Sequence, residues 1–153
     1  MTAVIAIDAN VIVRYLTGDD KAQSAAATEL FRAAQSGKVR LVVPISVIQE
    51  TVYVLESIYD LEASLIASKL ISLFAIENVR AADGGWVLEA LQAYRTKNCD
   101  FGDALLCAYA HAEKYAVATF DKEILKKHTE VRSGTPMDWL SEVVKSRGGE
   151  QEG

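Results

Sequence analysis

The sequence predicts an α/β fold: a three-layer, doubly wound parallel sheet with helices on both faces. Three observations predict it. Short apolar runs alternate with longer stretches that carry apolar residues at helical spacing. The apolar runs are nearly continuous rather than alternating, as in strands buried on both faces. The chain has 153 residues, half of them hydrophobic, which suits one domain with a real core.

The elements follow in order. Residues 4–7 (VIAI) read as a first buried strand ending at Asp8. Residues 10–16 read as a helix that stops near Gly18. Residues 21–36, rich in Ala, form a second helix with Gly37 as its C-cap candidate. Residues 39–43 (VRLVV) form the second strand, closed by Pro44. Ser46 is a plausible N-cap for a helix over 47–59, and 61–74 forms another. Residues 77–81 give a weak third strand. Residues 85–96 are helical, with Val87, Leu88, Leu91 and Tyr94 on one stripe. Residues 100–114 (DFGDALLCAYAHAEK) form a helix whose small and apolar residues cover much of its surface, so it packs against the sheet. A short strand at 116–119 (AVAT), a basic helix at 122–127 and an edge strand at 130–132 come next. Thr135 caps a last helix, with Pro136 at its first position. One domain spans 1–146. The tail 147–153 (RGGEQEG) is too polar and glycine-rich for a core and is expected to be frayed or disordered.

Composition narrows function. Sixteen Lys and Arg against 21 Asp and Glu give a net charge of −5, so the chain lacks the basic excess of a duplex-binding module. No stretch approaches the ~18 apolar residues of a membrane span, and residues 1–7 lack a signal-peptide pattern, so the expected location is cytoplasmic. Cys99 and Cys107 are the two thiols and read as reduced and structural. No zinc spacing, P-loop or GxGxxG occurs, and no Ser-His-Asp or Cys-His arrangement supports acyl transfer.

Ligands in such sheets sit outside the carboxyl ends of the strands. Asp8 and Asp121 follow strands there. Glu50 lies early in the helix after the second strand, and Asp103 in the first turn of its helix. Each acid also has a structural account. Asp100 and Asp103 can cap a helix and complement its dipole; Asp8 can bond a loop; Asp121 can end a turn. Asp103 and Glu50, however, sit inside apolar runs. Four acids at one edge repel and raise one another's pKa. A hard cation, Mg²⁺ or Mn²⁺, resolves that repulsion with oxygen ligands, and metal-assisted phosphodiester hydrolysis is the chemistry left standing.

The segments AIDANVIVRYL, VIQETVYVLES, DFGDALLCAYA and ATFDKEI resemble, in order, the four motifs of PIN-domain nucleases. The likeness covers residues 3 to about 140. Size and the Thr135-Pro136 ending are most similar to VapC toxins of toxin–antitoxin pairs. The resemblance implies that Asp8, Glu50, Asp103 and Asp121 hold Mg²⁺ or Mn²⁺ for RNA cleavage. It implies that Asn10 helps order the site, that the Thr119 hydroxyl supports it and that Asp100 stands behind it. It further implies a VapB-like antitoxin and a homodimer, with helices 47–59 and 61–74 offering apolar surface to one or the other. Basic residues near the motifs, Arg14, Lys122, Lys126 and Lys127 with His128 beside them, are candidates to meet the RNA backbone, or else form a solvated face.

Two other classes stay open. One is a non-catalytic PIN-like module that holds RNA or protein. The other is a Mg-dependent aspartyl phosphotransfer protein, which also uses an Asp at a strand end. Against the latter, Asn10 stands where a phosphatase of that kind wants an acid, and Asp8 lacks the acidic partner of a receiver domain.

Overall fold

The computed structural model describes residues 2–151. Its elements are β1 (Ala3–Ala6), α1 (Ala9–Thr17), α2 (Lys21–Gln35), β2 (Val39–Val43), α3 (Ile45–Ser57), α4 (Ala63–Phe74), β3 (Val79–Ala81), α5 (Trp86–Thr96), α6 (Phe101–Glu113), β4 (Val117–Ala118), α7 (Lys122–Lys127), β5 (Ser133–Gly134) and α8 (Pro136–Gln151). The fold is α/β, with parallel strands and, among the described residues, eight helices in the expected layered arrangement. No helix among the described residues is long and apolar enough to cross a membrane.

The strands are all paired in parallel, but they hydrogen-bond as two groups: β1-β2-β3 and β4-β5. Ala6 sits opposite Val42, and Ile7 N–H extends the ladder by donating to Val42 O at 3.2 Å. The last strand is Ser133–Gly134, not the expected 130–132. Pairing begins only where Arg132 O accepts Val117 N–H. Before that, Val131 is buried in a turn and Glu130 is held by Lys97, so those residues are committed elsewhere.

Helix boundaries follow local chemistry. Gly18, at φ 68°, closes α1 in the left-handed region that glycine enters without steric cost. Helix α3 starts earlier than expected. Pro44, not Ser46, is its N-cap residue, and the carboxylate of Asp83 accepts Ile45 N–H at 2.8 Å from across the sheet edge. That long-range cap does the work a local Ser would do. At α8, Thr135 Oγ1 accepts Asp138 N–H and Asp138 Oδ2 accepts Thr135 N–H, a reciprocal capping box. The helix then runs through Gln151, into the tail expected to be frayed or disordered from Arg147; residues 152–153 of that tail lie outside the described residues. A well-capped helix adds each further residue at little cost, so Gly148 falls inside it despite its propensity.

Two apolar clusters hold the fold. The larger joins Leu41 and Val43 of β2 to α1, α3, α4, α5 and one side of α6 through Ala104, Leu105 and Ala108. The smaller sets Cys107 and Ala110 of α6 against Val117, Ile124 and Val131. Helix α6 thus stands between two cores, which explains why apolar residues ring it. Both cysteines are free thiols, and burial raises the pKa of each, that of Cys107 to about 11.

Candidate active site

Asp8 and Asp121 occupy equivalent places. Each follows a strand, and each begins a helix with one carboxylate oxygen. Asp8 Oδ1 accepts Val11 N–H at 3.1 Å; Asp121 Oδ1 accepts Glu123 N–H at 2.8 Å. Capping fixes the carboxylates and leaves the second oxygen of each for another ligand. Thr119 steadies Asp121 from behind, its hydroxyl accepting Asp121 N–H at 2.9 Å.

Asp103 lies in the first turn of α6, half-buried, with its N–H donating to Asp100 Oδ1 at 3.0 Å. Its carboxyl is held above the usual range, first by burial and then by the negative charges of Asp100 and Asp121; His128 and Lys127 oppose the shift without cancelling it. Asp100 and Asp121 are therefore near enough for their charges to act on Asp103. Gly102 makes room for the Asp100 carboxylate: a Cβ there would meet Asp100 Oδ1 at 2.9 Å and Gln49 Nε2 at 3.6 Å.

Glu50 follows Gln49 in α3, which packs against both α1 and α6. The helix carrying Glu50 therefore bridges the helices carrying Asp8 and Asp103. Its side chain is on the exposed face, opposite Ile48, Val52 and Leu55, so solvent satisfies it without any partner. No hydrogen bond or ion pair ties Glu50 to the other acids. Among the described residues, no three acidic, His or Cys side chains converge tightly enough to form a finished cation cage. The donor chemistry still fits a hard divalent cation: oxygen atoms alone, and a carboxylate whose raised pKa a positive charge would reverse.

Asn10 is exposed beside the site, its amide donating to Gln23 at 3.5 Å. The basic candidates divide. Arg14 donates to Gln23 at 2.8 Å and pairs with Asp19 at 2.8 Å. Lys127 donates to Asn98 O at 2.7 Å and pairs with Glu123 at 3.0 Å. These two are committed to internal contacts. Lys122 and Lys126 are exposed and make none among the described residues. His128 is buried rather than offered to a substrate: it is 1% exposed, with Nδ1 3.5 Å from Glu130, which also pairs with Lys97 at 2.9 Å.

Three residues at this edge escaped the sequence reading. Asp83 stands just beyond β3, so the strand-end rule that selects Asp8 and Asp121 selects it equally. Gln49 Nε2 lies 3.6 Å from where a Cβ on Gly102 would stand, a proximity of distant segments that no spacing reveals. Phe120 projects between Thr119 and Asp121, an aromatic residue in a loop where the pattern offers it no core.

No curated protein matches the chain. The family model of the PIN domain, whose members are generally nucleases and typically use divalent metals, matches residues 5–130. With most of its length matched by that model, the chain belongs to the PIN-domain family.

Proposed function

We propose that this chain is a Mg²⁺- or Mn²⁺-dependent endoribonuclease and the toxin of a VapBC-type pair. The observation that carries the proposal is the start of α6, where half-buried Asp103 donates its N–H to Asp100 Oδ1 at 3.0 Å and the charges of Asp100 and Asp121 bear on its carboxyl. A scaffold has no physical need to crowd like charges around a half-buried carboxylate; a cation site does. Asp8 and Asp103 would hold the ion, with Glu50 and Asp121 completing its surroundings. When bound, it supplies an activated water and offsets charge on the phosphodiester. Asp100 and Thr119 position Asp103 and Asp121, and Asn10 orders the entrance. Lys122 and Lys126 meet the RNA backbone.

A VapB-like antitoxin and a second copy of the chain are the proposed partners. Support comes from Tyr53 and Ile58 near the end of α3 and Leu65 on α4, large apolar side chains left exposed on neighbouring helices.

The test is cleavage of mixed RNA by chelator-stripped protein with Mg²⁺ or Mn²⁺ added back, beside Asp8→Asn and Asp103→Asn. Metal-dependent cleavage absent from both variants is the expected result. Retained cleavage by Asp103→Asn would count against the mechanism. Neither cleavage nor metal binding by folded wild type would favour a non-catalytic module, and an acid-labile aspartyl phosphate would favour phosphotransfer.

A further inference from the structure

Phe120 is 82% exposed, more than any other large apolar residue described, and it stands between the two site residues Thr119 and Asp121. Leaving a Phe in water forfeits roughly 1.5–3 kcal/mol of burial, so its position asks for a reason. The backbone on both sides is pinned. Thr119 N–H donates to Gly134 O at 2.9 Å, Asp121 N–H to Thr119 Oγ1 at 2.9 Å, and Glu123 N–H to Asp121 Oδ1 at 2.8 Å. These bonds fix the backbone that carries the ring. It pairs with no other aromatic ring among the described residues, and its sequence neighbours are Thr119, Asp121, Lys122 and Glu123. An exposed aromatic face on a fixed backbone, between charged and polar neighbours, differs from the contiguous apolar patch that a protein partner buries.

We infer that Phe120 is a stacking platform for one unpaired base of a single-stranded RNA, seated beside the carboxylates of the acidic edge. The inference rests on the ribonuclease reading and adds to it a residue that contacts a base. A flat ring with two torsions, fixed at its base, loses little entropy on stacking, and any base has a π-face to offer. Lys122 and Lys126, four residues apart on α7 and without ion pairs among the described residues, lie on the chain immediately beyond it and suit the phosphates on either side of that base. A duplex cannot use the platform, because its bases are already stacked.

The test measures binding apart from cleavage. In an Asp103→Asn background, a labelled single-stranded oligoribonucleotide of mixed sequence is titrated with Phe120, Phe120→Ala, Phe120→Leu and Phe120→Trp proteins. Thermal melts should coincide, since the side chain is exposed. Phe120→Ala should bind roughly 5- to 150-fold more weakly, the range that loss of one stacked base implies. Phe120→Leu should be as weak, and Phe120→Trp should bind at least as well as the parent. The same RNA annealed to its complement should show no difference. Full affinity in Phe120→Ala overturns the inference, and full affinity in Phe120→Leu reduces the contact to generic apolar docking. Either result leaves the nuclease reading standing if Phe120-containing, Asp103-intact protein cleaves RNA. Absence of both RNA binding and metal-dependent cleavage removes the two together. Unchanged RNA affinity with loss of binding to a co-purified protein would assign the ring to that protein.

Discussion

Asp100 accepts the backbone N–H of Asp103 at 3.0 Å, and its negative charge also raises the pKa of the Asp103 carboxyl. One residue thus builds the helix start and destabilises the charge placed there. Such opposition is expected where a fold gives up stability for a site. Asp103→Asn should therefore remove cleavage yet melt slightly above metal-free wild type, by an amount that solvent screening of this half-buried group keeps small. Since the folded pKa of Asp103 is raised, its ionisation costs stability as pH rises through that value, so the gain should shrink in acid. Mn²⁺ should raise the melting temperature of wild type and not of the variant. A variant that melts well below wild type at neutral pH would sink the account.

Gly102 tests the same corner by volume. In an ordinary helix interior Gly→Ala stabilises by about 1 kcal/mol. Here the added Cβ would stand 2.9 Å from Asp100 Oδ1, which must move and release its cap on Asp103. Gly102→Ala should lose ~0.5–2 kcal/mol in denaturant unfolding, the usual cost of a lost cap, and lose activity with it. In an Asp100→Ala background the same substitution should become neutral or stabilising. Additive effects in that double-mutant cycle would mean the clash is not with Asp100.

Asp19 supplies a pH signature outside the acidic cluster. Its pKa is lowered to about 2, first by the Tyr59 hydroxyl, then by Thr17 and Arg14, and burial only partly opposes this. A depressed folded pKa contributes stability that is fully present above the unfolded value near 3.8 and disappears as pH falls through about 2. Asp19→Asn should lower the melting temperature by the same amount at pH 5 and pH 7. The gap to wild type should close between pH 4 and pH 2. A gap that persists at pH 2 would assign the effect to packing instead.

Tyr94 and Glu56 tie α5 to α3 through a hydroxyl–carboxylate hydrogen bond, while the Tyr94 ring packs edge-on against Phe101, 5.2 Å between centroids. Burial and Glu56 push the Tyr94 phenol well above its ordinary pKa. Tyr94→Phe keeps the ring and should lose only about 1 kcal/mol, because the exposed Glu56 returns to water. Tyr94→Ala empties the space against Phe101, the first residue of α6, and should lose ~3–5 kcal/mol. Equal losses from both would mean that the hydroxyl bond to α3, not the ring against α6, is what secures α5.

Much of this was legible in the sequence because local chemistry decided it. Apolar runs marked β1 and β2, Thr135-Pro136 marked the start of α8, and strand-end position marked Asp8 and Asp121. What stayed hidden depends on contacts between distant segments. Ser46 looked like the cap of α3 because nothing local announces that Asp83, 38 residues after Ile45, fills that role. The start of β5 was missed because Glu130 and Val131 have strand-like character but are drawn away by Lys97 and by the smaller core. Glu50 looked anomalous in an apolar helix only because the helix's exposed face cannot be read without knowing what packs on it.

The basic residues show the same limit and yield a graded test. Four cations sit near the acidic motifs in sequence, but Arg14 and Lys127 are held by Asp19, Gln23, Asn98 and Glu123, whereas Lys122 and Lys126 are exposed. A cation that neutralises an RNA phosphate releases counterions, and log K falls with log salt by about 0.7 per contact on a single strand. Lys122→Ala and Lys126→Ala should each weaken RNA binding across all sequences and flatten that slope by roughly 0.7, with unchanged melting temperature. Arg14→Ala and Lys127→Ala should do the reverse, lowering the melting temperature while leaving the salt slope alone. Binding titrations from 50 to 200 mM salt, run beside thermal melts, separate the two classes. A flatter slope from Arg14→Ala would show that its pairing with Asp19 yields to RNA.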